Sequence, residues 1–264
     1  MSRLNLTQLR QMKSSAEKIA VLTAYDASFS YLLEQASVDV ILVGDSLGMV
    51  IQGQESTLPV TVDEIIYHSQ NVVRGTSRVF VIADMPFMSY ASTEQALTNA
   101  AKLMAEGGVQ MVKLEGGSIM ADTVKSLSEH GIPVCGHLGL LPQSVHHMGG
   151  YRVQGRDSDD ASQIVEDAMC LQEAGADMLV VECIPADLAA EITHKLTIPV
   201  IGIGAGNKCD GQVLVLYDML GITAGKRPRF SHDFVADTGA IPAAVSKYVA
   251  DVKAGIFPQK AQQY

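Results

Sequence analysis

Three acidic residues stand where runs of apolar residues end. Asp45, Asp84 and Glu115 each follow a stretch typical of a buried strand, and the run at residues 40–44 is uninterrupted. The carboxyl ends of such strands meet at one mouth of a parallel α/β fold. Acids gathered there repel one another unless a cation neutralises them, and oxygen ligands without cysteine favour Mg²⁺. The pattern predicts a magnesium site, although any one of these acids alone would suit the cap of a following helix.

A lysine and a histidine accompany these acids. Lys113 stands two residues before Glu115, so both side chains point to the same face of their strand, which in a barrel is the lumen. There the ammonium group balances the carboxylates or binds a substrate carboxylate, and an internal ion pair is compatible with either role. A Schiff-base role is disfavoured because the acids keep the amine protonated. His137 ends another apolar run and is interpreted as a substrate or water contact, with a structural role as the alternative.

Glu182 ends a further apolar run, directly before Cys183-Ile184-Pro185. In a barrel its strand would lie across from the proposed cation, in surroundings that partly exclude water from the carboxylate. Burial away from cations raises the pKa of a carboxyl group and suits it to act as a general base. A helix cap or a buried, paired glutamate explains this residue equally well when it is taken alone.

Strands and helices alternate along the chain at intervals of roughly 30 residues, which is the spacing of βαβ units in a parallel sheet. No change of composition and no linker divides the chain. We therefore predict one α/β domain over residues 1–264, a single (β/α)8 TIM barrel with a short N-terminal helix and extended βα loops at 46–61 and 138–158. The predicted strands are residues 18–25, 38–44, 79–83, 111–115, 133–137, 178–182 and 199–204, with an eighth at 212–217 that fits a helix almost equally well.

Two helix starts are marked by capping residues. Thr61 with Glu64 three positions later predicts a capping box for a helix that runs to about Arg74. Thr93 predicts the N-cap of a helix that runs to Glu106.

Composition narrows the class of protein. The 264 residues are 47% hydrophobic and 18% charged, with a net charge of −10, so a nucleic-acid phosphate backbone is an unfavourable partner. The basic group at residues 226–229 is the exception, and we interpret it as a solvated loop that could also hold an anionic ligand. Four scattered cysteines, no apolar run of membrane-spanning length and no signal-peptide core lead us to expect a cytoplasmic protein without membrane contact.

Several of these segments, taken together, resemble the ketopantoate hydroxymethyltransferase family. The match extends in the family's order from about residue 20 to about residue 230. Its most telling motifs are Val43-Gly44-Asp45-Ser46-Leu47-Gly48, Ala83-Asp84-Met85-Pro86-Phe87, Val112-Lys113-Leu114-Glu115-Gly116-Gly117, Val134-Cys135-Gly136-His137-Leu138-Gly139 and Pro199-Val200-Ile201-Gly202-Ile203-Gly204-Ala205-Gly206.

The resemblance implies an activity and a set of roles. The family transfers a hydroxymethyl group from 5,10-methylenetetrahydrofolate to 3-methyl-2-oxobutanoate, giving 2-dehydropantoate in pantothenate biosynthesis. By resemblance, Mg²⁺ is held by Asp45, Asp84 and Glu115, and the keto acid is bound by Asp45, Ser46, Asp84 and Lys113. Glu182 matches the proton acceptor. The family also implies a homodecamer of two stacked five-membered rings.

Two alternatives belong to other classes. Lyases of the phosphoenolpyruvate mutase and isocitrate lyase type also combine a barrel, Mg²⁺ and 2-oxo acids, but the Lys-Lys-Cys-Gly-His nucleophile loop typical of them does not occur in this sequence. A non-catalytic metabolite-binding barrel would bind ligand without turnover, and the intact set of acids disfavours it.

Overall fold

Eight parallel strands form a closed barrel in the part of the chain that this computed structural model describes, residues 3–264. Each strand pairs with the next one in sequence, and β8 closes the barrel against β1. The (β/α)8 TIM barrel expected from the sequence is therefore confirmed. The strands are β1 Ile19–Thr23, β2 Val40–Val43, β3 Phe80–Asp84, β4 Met111–Glu115, β5 Val134–Gly139, β6 Met178–Glu182, β7 Val200–Ile203 and β8 Gly211–Leu214.

The helices follow the strands and cover the outside of the barrel. Because the strands face helices on one side and the packed lumen on the other, nearly all of their residues are buried. The α-helices are α1 Leu6–Ser14, α2 Ala27–Gln35, α3 Leu47–Val50, α4 Val62–Arg74, α5 Thr93–Ala105, α6 Ala121–Glu129, α7 Ser158–Glu173, α8 Ala186–Lys195, α9 Leu216–Met219, α10 Phe234–Thr238 and α11 Ile241–Lys253. Short 3₁₀ helices lie at Ser118–Met120, Pro142–Ser144 and Lys260–Gln262. No helix within residues 3–264 has the length and apolar character needed to cross a membrane.

Helix α1 covers the amino-terminal end of the barrel. Its Asn5 cap forms a capping box with Gln8, and Leu9 is buried against the core. Lys13 on the same helix makes an ion pair of 2.6 Å with Asp210, the residue before β8. The short N-terminal helix expected from the sequence thus closes the amino-terminal end of the barrel, opposite the mouth.

The eighth strand is shorter than the run at residues 212–217. The strand ends at Leu214, and α9 starts two residues later, because the Leu216 N–H donates to Thr23 Oγ1 (3.0 Å) at the end of β1 and not to the ladder. The run at residues 212–217, whose sequence suits a strand and a helix almost equally, is therefore divided between β8 and α9.

Of the two predicted helix caps, one is confirmed and the other is wrong. Thr61 and Glu64 form the expected capping box at α4. At α5 the cap is Ser92, whose Oγ accepts a hydrogen bond from the Gln95 N–H (3.3 Å). Thr93 is the first residue of the helix, because its neighbour Ser92 takes the extended backbone conformation that a cap requires.

Candidate active site

A cavity of about 980 Å³ opens at the carboxyl-terminal end of the barrel. Its floor is made by strand ends, and its wall by residues from both long βα loops and from the segment after β8. The seven side chains proposed for the site from the sequence all line this cavity: Asp45, Ser46, Asp84, Lys113, Glu115, His137 and Glu182. They come from five different strands, which is how barrels of this kind build their sites.

Asp84 is the best-anchored carboxylate of the floor. Its Oδ2 accepts the backbone N–H of Asp45 (3.0 Å), which ties the end of β3 to the turn after β2. Its Oδ1 lies 2.8 Å from Lys113 Nζ, and both side chains are buried. The lumen-facing orientation expected for Lys113 is therefore observed, and its charge is paired with an acid.

The floor nevertheless carries more negative than positive charge. Burial raises the pKa of Asp45 well above its ordinary value, and the nearby carboxylates of Asp84 and Glu115 raise it further. Burial also raises the pKa of Glu115 to about 7, with the cation of Lys113 opposing and Asp84 adding to the shift. Burial alone would discharge Lys113, but the surrounding carboxylates outweigh it and raise the pKa of the ammonium group above its usual range. The acids therefore favour the arrival of a further cation or proton.

Gln143 connects the acids and was not anticipated from the sequence. Its Nε2 donates to Asp45 Oδ2 (2.7 Å) and to the Met85 carbonyl (3.0 Å), while its backbone N–H donates to Glu115 Oε2 (3.0 Å). Its Oε1 accepts the Tyr90 hydroxyl (2.5 Å). Gln143 and Asp45 are 98 positions apart, and a glutamine in a loop carries no local signal of such a contact.

The floor suits a magnesium ion in its chemistry. The donors are carboxylate oxygens, and Asp84 Oδ1 is buried without a well-aligned hydrogen bond. Across the described chain, residues 3–264, no three acidic, histidine or cysteine side chains already surround an ion position. Mg²⁺ commonly takes one or two carboxylates and completes its shell with substrate oxygens and water, so a preformed cage is not required. The assignment of Asp45, Asp84 and Glu115 as its ligands stays a prediction.

His137 lies between the acid cluster and Glu182. Its Nδ1 is 3.5 Å from Glu115 Oε1 and its Nε2 is 3.2 Å from Glu182 Oε2, although neither nitrogen is aligned for a hydrogen bond. Burial lowers the pKa of His137, and the cation of Lys113 lowers it further. A neutral imidazole therefore separates Glu182 from the other acids. The Glu182 side chain is 12% exposed, at the surface of the cavity, in agreement with the expected partial desolvation.

Ser46 follows Asp45 at the cavity surface. Its hydroxyl lies 2.8 Å from the Tyr25 hydroxyl, and it makes no capping hydrogen bond to the short helix that it precedes. The Ser46 Oγ thus belongs to the cavity and not to the helix end.

The fold and this cavity define a class, the (β/α)8 barrel enzymes whose acidic site lies at the carboxyl ends of the strands. Comparison with known proteins narrows the class to one family. Residues 3–260 match the family described as ketopantoate hydroxymethyltransferase. A protein named 3-methyl-2-oxobutanoate hydroxymethyltransferase from Nitrosococcus oceani is 63% identical over 258 residues, covering 98% of both chains. Its namesake from Alteromonas mediterranea is 53% identical over the full length of both chains.

This chain therefore belongs to the ketopantoate hydroxymethyltransferase family and is a hydroxymethyltransferase. Among solved structures, phosphoenolpyruvate phosphomutase from Streptomyces platensis subsp. rosaceus superposes with a TM-score of 0.62 at 14% identity, covering 91% of this chain and 90% of that one. A 2,3-dimethylmalate lyase gives 0.61 at 15% identity, covering 89% and 88%. At such low identity these likenesses establish the shared barrel alone.

Proposed function

We propose that this enzyme transfers a hydroxymethyl group from 5,10-methylenetetrahydrofolate to 3-methyl-2-oxobutanoate, with Mg²⁺ as cofactor, and produces 2-dehydropantoate. The observation that carries the proposal is the division of the cavity floor. Asp45, Asp84, Lys113 and Glu115 form one cluster, while Glu182 lies beyond the imidazole of His137. The names of the family's members support the keto acid as substrate.

The acid cluster would hold the keto-acid end of the substrate. Asp45, Asp84 and Glu115 would bind Mg²⁺, which when bound polarises the ketone and stabilises developing negative charge on its oxygen. Lys113 and Ser46 would bind the substrate carboxylate and fix its orientation. Because Lys113 is already held by Asp84 at 2.8 Å, its ammonium group is positioned before the substrate arrives.

Glu182 would remove the C3 proton of the keto acid. A carboxylate bonded to a cation loses basicity, so a base has to stand apart from the cation site. The neutral ring of His137 supplies that separation, and its Nε2 faces the Glu182 carboxylate at 3.2 Å. With the proton on Glu182, C3 forms a bond to the one-carbon unit and water supplies its hydroxyl oxygen. Both bonds from that carbon to the two folate nitrogens break, and these nitrogens take up the proton that left C3 and the proton that water releases.

The test is proton exchange at C3 in deuterated water, measured by NMR with Mg²⁺ and no folate. Glu182→Gln keeps the shape of the side chain but removes its basicity, so exchange should fall roughly 10²- to 10⁴-fold while keto-acid affinity stays near that of the wild type. Glu191→Gln, on the exposed surface of α8, is the matched control and should exchange normally. Exchange at the wild-type rate in the Glu182 variant would remove this residue from the base role.

Two further expectations belong to this proposal. Removal of divalent cations with a chelator should abolish exchange, and full activity in excess chelator would end the magnesium assignment. Assembly into a decamer stays a prediction from the family resemblance, and the mass of the purified protein by light scattering tests it.

A further inference from the structure

The outer wall of the cavity has the opposite charge to its floor. Five basic residues line it, which we call the basic rim: Arg152, Arg156, Lys226, Arg227 and Arg229. The acids that line the cavity are at the strand ends, except for Asp218, a buried residue whose Oδ1 accepts the Thr223 hydroxyl (2.5 Å). A chain with a net charge of −10 thus places a group of cations at the entrance to its cavity.

Two members of the basic rim are engaged in holding the wall together. Arg227 Nη1 lies 3.2 Å from Asp233 Oδ2, an ion pair within the segment after β8. Arg229 Nε donates to the Ala261 carbonyl (3.2 Å), and its guanidinium lies 5.5 Å from the ring centroid of Tyr264. These contacts join the segment to the end of the chain and give the wall a defined position.

The other three members are available to a ligand. Within residues 3–264, Arg152, Arg156 and Lys226 are exposed and have no carboxylate at ion-pair distance. They come from two different segments, the loop after β5 and the segment after β8, yet they line the same cavity. Cations concentrated at the mouth of a cavity attract an anionic ligand and orient it on entry.

An apolar surface lies in the same wall. Met49 and Tyr151 are 39% and 55% exposed, and the Tyr151 hydroxyl approaches Met49 Sδ at 3.8 Å, so the two long βα loops meet there. A thioether and an aromatic ring suit contact with a flat aromatic ligand. The cavity volume of about 980 Å³ is also at the upper end of the usual range for ligand pockets, far more than a small keto acid fills.

We propose that the basic rim binds the glutamate carboxylates of the folate co-substrate. The inference rests on the proposed function, because it takes the co-substrate from there. A folate carries its one-carbon unit at the pteridine end and its glutamates at the other end, with an aromatic ring between them. With the one-carbon unit at the floor beside Glu182, the aromatic ring passes Met49 and Tyr151, and the carboxylates reach Arg152, Arg156 and Lys226.

The experiment compares tetrahydrofolate carrying one glutamate with tetrahydrofolate carrying three. Each additional glutamate brings another carboxylate to the rim, so the wild type should bind the triglutamate more tightly, and the preference should shrink as salt rises. Arg152→Gln/Arg156→Gln should weaken triglutamate binding by roughly three- to tenfold, with a smaller loss for the monoglutamate. Lys226→Gln tests the same assignment from the second segment. Arg74→Gln, an exposed arginine on α4 outside the cavity, is the matched control.

Two measurements separate the rim from the rest of the site. C3 proton exchange of the keto acid without folate should stay at the wild-type rate in the rim variants, because the floor is untouched. Equal affinity of the wild type for both folates, or a preference that survives in the rim variants, would overturn the assignment. So would a loss of keto-acid exchange as large as the loss of folate binding. If the wild type turned over with neither methylenetetrahydrofolate form, the proposed co-substrate itself would be wrong.

Discussion

The two ends of the barrel use carboxylate side chains in opposite ways. At the amino-terminal end, a polar residue before each even-numbered strand accepts a hydrogen bond from a backbone N–H near the start of the preceding odd-numbered strand. The pairs are Asp39 with Ala20 (2.8 Å), Gln110 with Val81 (2.8 Å), Asp177 with Val134 (3.3 Å) and Asp210 with Val200 (2.9 Å). Lys253, Arg10 and Lys13 pair with the three aspartates. The acids at this end are therefore satisfied within the fold.

At the carboxyl-terminal end the acids face one another. Burial raises the pKa of Asp39 at one end and of Asp45 at the other, so burial alone does not distinguish them. The difference lies in the neighbouring charges. Lys253 lowers the pKa of Asp39, whereas Asp84 and Glu115 raise the pKa of Asp45 further. Carboxylates that are paired with cations and backbone donors of the fold stabilise the barrel. Carboxylates whose charge the fold leaves uncompensated are available to bind a ligand.

Gln143→Met should have the largest effect of the substitutions that probe this contrast. It removes the amide that donates to Asp45 Oδ2 while keeping a side chain of similar size, so Asp45 loses the group that orients it. Because such outer partners of a ligand support metal affinity, Mg²⁺ should bind roughly 10- to 100-fold more weakly, as measured by calorimetry. Gln54→Met, in the cavity wall, is the control. Unchanged Mg²⁺ affinity in the Gln143 variant would show that Asp45 is held in place by other contacts.

The parts of this site that follow from sequence are those with a local signature. Asp45, Asp84, Glu115 and Glu182 are visible because an apolar run ends at each of them, and the barrel then brings the ends together. Lys113 follows from strand periodicity alone. Gln143 and Tyr90 have no such signature, because their contacts join loops that are far apart in the chain.

Three other features are marked in the sequence, but neighbouring residues alone do not decide their structure. The polar residues before the even-numbered strands recur with the strands themselves, so Asp39, Asp177 and Asp210 could have been sought as a repeat. The choice between Ser92 and Thr93 as a helix cap depends on one residue of register, which neighbouring residues of equal capping ability do not decide. The division of residues 212–217 into strand and helix depends on Thr23, on another strand.

The affinity for Mg²⁺ should depend on pH in the direction set by Glu115. With the pKa of this group at about 7 in the metal-free chain, its proton has to leave before the carboxylate can bind a cation. Affinity should therefore fall by at least roughly tenfold per pH unit below 7, because Asp45, whose pKa is also raised, has to lose its proton as well. Calorimetry at pH 7 in buffers of different ionisation enthalpy should detect proton release on Mg²⁺ binding. No release would show that Glu115 is not a ligand.

The same shift has a consequence for stability without metal. The folded chain holds the Glu115 proton more tightly than the unfolded chain does, since the pKa is raised from 4.5 to about 7. Its contribution to the free energy of unfolding is thus fully present below pH 4.5 and is lost as the pH rises to about 7. Saturating Mg²⁺ should remove this decline, and Glu115→Gln should make it smaller, leaving the part that comes from Asp45, whose pKa is also raised. A decline of unchanged size in this variant would assign it to other groups.

Asp210→Ala should affect stability and leave the site alone. The substitution takes away the acceptor of the Val200 N–H and the partner of Lys13, both at the amino-terminal end of the barrel. The free energy of unfolding should fall by about 1 to 3 kcal/mol in urea denaturation, because a buried donor and a largely buried cation lose their partner. Lys13→Gln should cost less, since Asp210 keeps its backbone donor. Turnover and Mg²⁺ affinity of the folded variants should match the wild type. A loss of Mg²⁺ affinity in Asp210→Ala would mean that the two ends of the barrel are energetically coupled, and the contrast between compensated and uncompensated acids would then not separate stability from function.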